Sequence, residues 1–223
     1  MNVLITGASG LVGSAVVQQA ISNSRINHIF ILARDAPPAC SEGHSKVTIL
    51  NYNDIAAAPR DGCVWSLAGV EACIWSQDIL SRPPQMEAAK ATSTDYPLCL
   101  LRFLVFKLLP KMPPSKTFQF IFVSGEPAKF DPRNHLSITG SPRHILRQVE
   151  RQLLEIADMN DNLRVVIPRP SGIIRGKAGR LRAMVSSKFL GYMAVGHLAR
   201  ALLSFALDGS ENRIISAKEL MDM

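Results

Sequence analysis

With 223 residues, 47% of them hydrophobic and 19% charged, the chain can bury one sizeable core, which excludes an intrinsically disordered protein. No apolar run reaches the roughly 20 residues of a membrane helix; Pro97 to Leu109 comes closest, and Arg102 and Lys107 interrupt it. The net charge of +7 raises the question of nucleic acid, but the basic tract from Arg164 to Lys188 carries no aromatic side chain on which a base could stack.

The first predicted element is the β-branched and aliphatic run Val3-Leu4-Ile5, a buried strand. It breaks into Thr6-Gly7-Ala8-Ser9-Gly10-Leu11-Val12-Gly13, and a helical pattern follows through Leu11, Val12, Ala15, Val16 and Ala20. Strand, glycine-rich turn and helix form the entry to a dinucleotide-binding βαβ unit. Gly7 permits the tight turn, Gly10 lets the backbone approach a pyrophosphate, and Gly13 lets the helix lie close on the sheet. The amides around Ser9, Leu11 and Val12, at the positive end of the helix dipole, would hold the phosphates. The bland alternative is a glycine turn kept only for helix packing. The motif follows the first residue directly, leaving no room for a leader segment. The four cysteines, Cys40, Cys63, Cys73 and Cys99, are scattered without metal-site spacing. The expectation is a cytoplasmic protein with reduced thiols and no metal site.

His28 to Ala33 is predicted as the second strand, ending at Arg34-Asp35. In a dinucleotide-binding unit this strand end meets the adenosine ribose. A guanidinium there favours the 2′-phosphate of NADP over the free hydroxyl of NAD; the alternative is a solvated Arg-Asp pair. Lys46 to Leu50 is the third strand, followed by Asn51-Tyr52-Asn53-Asp54. Val70 to Ser76 is the fourth. A helical tract runs from about Pro84 to Leu109, with a bend expected at Pro97. Thr117 to Val123 is the fifth strand and opens into Ser124-Gly125-Glu126-Pro127.

Ser141-Pro142 starts a helix whose buried stripe is read as Ile145, Val149, Leu153 and Ile156. Arg147, Glu150, Arg151 and Glu155 then fall on its wet side. Leu163 to Ile167 is the sixth strand and leads to Pro168-Arg169-Pro170-Ser171-Gly172. Val195 to Leu207 is a helix closed at Asp208-Gly209, Arg213 to Ser216 a last short strand, and Ser216 to Glu219 a capping box. Alternating strands and helices imply a single α/β domain over residues 1–223: a doubly wound, mainly parallel sheet with helices on both faces.

The spacing Thr-Gly-x-x-Gly-x-x-Gly resembles the short-chain dehydrogenase/reductase superfamily, in its extended and atypical (epimerase-like and NmrA-like) branches. The resemblance implies a Rossmann fold with a very small C-terminal substrate region, and possible pairing of two copies through long helices. It further implies that Asp54 or Asn53 caps the adenine, although a turn and helix start explains them equally. It places Ser76 beside the cofactor's ribose and pyrophosphate, and Pro170, in the Arg-Pro segment, beside the nicotinamide. The superfamily's usual chemistry uses a serine after the fifth strand and a Tyr-x-x-x-Lys pair on the next helix. Ser124 matches the serine. The pair is absent: Tyr52, Tyr96 and Tyr192 are the only tyrosines, and none has a lysine four residues on. Pro142 and Leu146 stand at the equivalent helix positions.

Groups able to move a proton near the strand ends are Asp78, Ser124, Glu126, Lys129, His135 and His144. Of these, Ser124, Glu126 and His144 are the candidate catalytic residues, a carboxylate and an imidazole being able to divide base and acid roles. Three functions follow. The first is an NADP-dependent oxidoreductase acting on a small, largely apolar carbonyl or phenolic substrate, with NAD the less favoured cofactor. The second is a redox-neutral isomerase or cyclase of secondary metabolism that uses no cofactor in catalysis. The third is a dinucleotide-sensing regulatory protein.

Overall fold

The computed structural model describes residues 1–33, 38–51, 67, 69–77, 96–125, 142–175 and 192–223. The apolar runs form the strands β1 (Asn2–Thr6), β2 (His28–Ala33), β3 (Val47–Asn51), β4 (Val70–Trp75), β5 (Phe118–Phe122) and β6 (Leu163–Pro168). Together with β9 (Ile214–Ile215) they make one seven-stranded sheet in the order β3-β2-β1-β4-β5-β6-β9. Every pairing is parallel. The chain winds outward from β1 through β2 to β3, then returns to lay β4 on the other side of β1. The direction of winding therefore reverses between β1 and β4, and an open α/β sheet binds its ligands at such a switch point.

Period-two alternation along the strands feeds two separate cores. Val3, Ile5, Ile29, Ile31, Ile74 and Val166 pack under α1 (Leu11–Ser22) and α4 (Val195–Asp208). Leu4, Phe30, Trp75, Phe120, Phe122 and Val165 pack on the other face, under α2 (Tyr96–Lys107) and α3 (Pro142–Asp158). On the first face the Gln19 amide donates to the Gly196 carbonyl at 2.7 Å, and Arg25 pairs with Asp208 at the far ends of the same helices. The last helix, α5 (Ala217–Asp222), carries the expected box: Ser216 Oγ accepts from the Glu219 amide, and Glu219 accepts from the Ser216 amide.

The structure departs from the sequence reading in two places. A small parallel ribbon, β7 (Ile173–Ile174) with β8 (Met193–Ala194), was not foreseen. The bend expected at Pro97 depends on the stretch before Tyr96, which lies outside the described residues. Most consequentially, Glu150 is not on the wet side of α3. It is 2% exposed, in line with the buried Leu146, Val149 and Leu153.

Cys40, Cys73 and Cys99 are free thiols, with Cys40 and Cys99 exposed and Cys73 buried in β4. Burial pushes the Cys73 thiol far above its ordinary range, so it holds little thiolate. An alkylating reagent is expected to modify Cys40 and Cys99 in the native protein and Cys73 only after denaturation, as read by peptide mass spectrometry. Native labelling of Cys73 would contradict the packing of β4.

Candidate functional site

The site is built outward from the turn between β1 and α1. Gly7 has φ +70°, a left-handed conformation suited to glycine. A Cβ there would lie 2.7 Å from the backbone N and Cα of Gln77, so the turn is pressed against the segment leaving β4. A Cβ on Gly13 would lie 2.1 Å from the Gly7 carbonyl oxygen. The sequence reading gave Gly13 the task of bringing the helix close to the sheet; the contact it relieves is with the glycine turn itself. The Gly10 amide donates to the Gly7 carbonyl at 2.9 Å and closes the turn.

Gly10 is also the N-cap of α1, so no side chain caps the helix, and no acidic residue stands in its first turn. Leu11, Val12 and Gly13 occupy that turn, whose amides have no acceptor within the helix. Ser9, beside them, is exposed. The chemistry suits an anion: donors without acceptors, the positive end of a helix dipole, and backbone close enough for contact.

Where β4 ends, the Ser76 hydroxyl donates to the Thr6 carbonyl at 2.7 Å. Ser76 thus fastens the β4 exit to the β1 exit and is itself buried. Around these strand ends lie buried polar atoms without a hydrogen-bond partner: Thr6 Oγ1, Trp75 Nε1, Gln77 Oε1 and Ser124 Oγ. Buried polar atoms are nearly always satisfied, so a run of unsatisfied ones at the C-terminal ends of β1, β4 and β5 marks the place where a ligand would complete the bonding.

Beyond β5, the Ser124 amide donates to the Pro168 carbonyl at 3.0 Å, which sets the β5 exit beside the β6 exit. Next to it Glu150 reaches in from α3. Arg169 meets both carboxylate oxygens with Nε at 3.1 Å and Nη2 at 2.6 Å, a two-pronged pairing. Arg147 Nη1 meets the same two oxygens at 2.5 and 2.6 Å. Burial pushes the Glu150 carboxyl up, but the hydrogen bonds from Arg169 and Arg147, helped by the nearby Ser124 hydroxyl, hold it below the usual carboxylate range. Ser124 Oγ lies close enough to favour that charge, yet falls outside the geometry of a formed hydrogen bond.

Of the residues singled out from the sequence, Gly7, Gly10, Leu11, Val12, Gly13, Ser76 and Ser124 gather at the ends of β1, β4 and β5. Pro170 is buried just beyond β6. The adjoining Gly172 carries the Tyr192 ring directly on its Cα: a Cβ there would be 2.3 Å from the ring. His144 is on the exposed side of α3, where the Gln148 amide approaches its Nε2 at 3.1 Å. Arg34, Asp54, Asp78, Glu126, Lys129 and His135 lie outside the described residues. Arg147, Glu150 and Arg169 were missed as site residues. A faint signal existed, since Glu150 stands between the buried Val149 and the buried turn at Leu153. A groove of about 560 Å³ runs over α2 and α3, lined by Arg102, Gln148, Glu155 and Met159 among others. It includes no residue of the glycine turn and not Ser124.

No family model matches the sequence, and no curated protein matches it. Solved structures do match in fold. The reductase domain of PhqB from Penicillium fellutanum superposes with a TM-score of 0.67 at 13% identity, over 97% of this chain and 66% of that one. Gre2 from Candida albicans, solved with NADPH, gives 0.68 at 11% identity, over 100% and 81%. WbmF from Bordetella bronchiseptica, solved with NAD⁺, gives 0.63 at 15% identity, over 97% and 72%. What the chain shares with these structures is a Rossmann-like α/β fold, a parallel sheet flanked by helices. At such identities the likeness is one of architecture, and this chain spans only about two thirds of the PhqB reductase domain.

Proposed function

We propose that the chain binds a nicotinamide dinucleotide across the ends of β1 and β4 and reduces a small, largely apolar carbonyl compound. The observation that carries this reading is the uncapped start of α1 behind a turn that leaves no room for a Cβ at Gly7 or Gly13. Gly7, Ser9, Gly10, Leu11, Val12 and Gly13 would hold the pyrophosphate, with Ser76 and Pro170 flanking the rest of the molecule. On sequence grounds Arg34 favours NADP over NAD, and Asp54 is the candidate for the adenine.

When bound, a reduced nicotinamide supplies the hydride that the carbonyl carbon takes up, and the carbonyl oxygen takes up a proton. Ser124, buried and unpartnered at Oγ, donates a hydrogen bond to that oxygen. No Tyr-x-x-x-Lys pair is present to deliver the proton, and Leu146 is in the core. In this reading the proton comes from another group or from water, with the Ser124 hydroxyl orienting the carbonyl oxygen. Glu126 and His144 are the sequence's candidates for moving that proton, a carboxylate and an imidazole being able to divide base and acid roles.

Titration with NADPH and NADH, followed by calorimetry, tests the nucleotide site. Two charge-assisted hydrogen bonds to a 2′-phosphate correspond to about tenfold or more in affinity. NADPH is expected to bind tighter than NADH by that factor, and Arg34→Ala to remove the preference while sparing NADH. Equal affinities would remove the role of Arg34. Absence of binding by either nucleotide would sink the reading.

The buried Leu146, at the position the resemblance gives to the lysine, favours a second reading: a redox-neutral isomerase or cyclase on the same scaffold. Conversion of a substrate with no change in nicotinamide absorbance would select it. Nucleotide binding without turnover of any carbonyl would select a sensing role.

A further inference from the structure

The group of Glu150, Arg147 and Arg169 is unbalanced. Among the described residues two guanidiniums meet one carboxylate, leaving one net positive charge at the ends of β5 and β6. A structural ion pair for Glu150 needs only one of them. Arg169 spends Nε and Nη2 on Glu150, and Arg147 spends Nη1. Each guanidinium carries five N–H donors, so both keep donors that no other carboxylate among the described residues takes up. Their side chains are 37% and 23% exposed, against 3% for Glu150. Their remaining donors are thus reachable from solvent, where an anion can take them up. The Ser124 hydroxyl, buried and unpartnered, lies in the same corner.

We propose that Arg147 and Arg169, beside Ser124, form a subsite for a substrate carboxylate, which makes the substrate an apolar keto acid. This rests on the carbonyl-reductase reading and names its substrate class. One surplus positive charge matches a monoanion, and a carboxylate presents the planar pair of oxygens that guanidinium donors fit. Glu150 is the positioning residue: it fixes both guanidiniums and touches no substrate itself. Ser124 then meets the keto oxygen next to the anchored carboxylate.

The test uses the full chain and two probes, benzoylformate and its methyl ester, which differ in charge and share the keto group and ring. Calorimetry with and without NADP⁺ present is expected to show the acid binding at least tenfold tighter than the ester. Arg147→Gln is expected to reduce that ratio below threefold with little change in ester binding, and Arg147→Lys to restore part of it. Circular dichroism and a thermal melt report whether each variant is folded, and the acid-to-ester ratio in the unmodified chain stands whatever they show. Equal binding of the two probes, binding of neither, or an unchanged ratio in folded Arg147→Gln would overturn the proposal. NADPH titration of the same samples separates the two readings. Nucleotide binding without acid preference sinks the subsite alone. Acid preference without nucleotide binding sinks the reductase reading and leaves an anion site.

Discussion

Gly13→Ala is expected to destabilise the chain by about 2 kcal/mol and to abolish dinucleotide binding. The new methyl group would stand 2.1 Å from the Gly7 oxygen, 2.6 Å from its carbon and 2.8 Å from Ala8 Cα. All three neighbours are backbone, and none can rotate away as a flexible side chain would. Overpacking a tight site costs about 1–3 kcal/mol, occasionally more. Better helix propensity would offset up to about 1 kcal/mol of this. The distances put the penalty at the upper end, so the clash wins. Relief requires α1 to move off the glycine turn, which carries the first-turn amides away from the phosphates. Gly10→Ala is the matched control: its single close contact is 3.2 Å, which a shift of a few tenths of an ångström relieves. It should unfold near the unmodified chain while NADPH affinity falls, because the methyl group occupies the approach to the loop. Urea midpoints and calorimetric titrations of the two variants separate folding from binding. A Gly13→Ala protein that unfolds and binds as the unmodified chain does would refute the packing described for the turn.

The legible parts of this fold are those whose signal is local. The central strands β1, β4 and β5 are buried on both faces, so they stand in the sequence as largely apolar runs such as Val3-Leu4-Ile5 and Phe118 to Phe122. The glycine turn is legible for the same reason, since strand, turn and helix start fall within the first thirteen residues. The ribbon of β7 and β8 escaped because two-residue strands have no period to detect. Glu150 escaped through a different limit. Helical periodicity assigns a carboxylate to water by default, and what reverses that here is Arg169, nineteen residues further on, on the neighbouring strand's exit. No window along the chain contains both partners. Ser124 was found by resemblance, whereas the charged groups around it became visible only once β5 and β6 were set side by side.

Glu150→Gln is the substitution with the largest expected effect on stability. Removing one partner from a buried ion pair costs about 3–5 kcal/mol, because the remaining charge stays buried without an answer. Here two guanidiniums would be left facing each other across a neutral amide, but both retain some water, which places the loss at about 3 kcal/mol. The pH dependence follows from the direction of the Glu150 shift. Its carboxyl is held below the ordinary range in the folded chain, so the unfolded chain takes up the proton first as pH falls. The stabilisation is therefore complete above the unfolded carboxyl's pKa, about 4.3, and is lost as pH falls through the lower folded value. Urea unfolding at a series of pH values is expected to show the widest gap between the unmodified chain and Glu150→Gln above about pH 5, narrowing toward acid. Ser124→Ala should leave most of that gap in place, because the two arginines provide the larger part of the hold on the carboxylate. Parallel curves, or a gap below about 1 kcal/mol, the size of a surface ion pair, would mean that Glu150 is not the buried anchor of the two arginines.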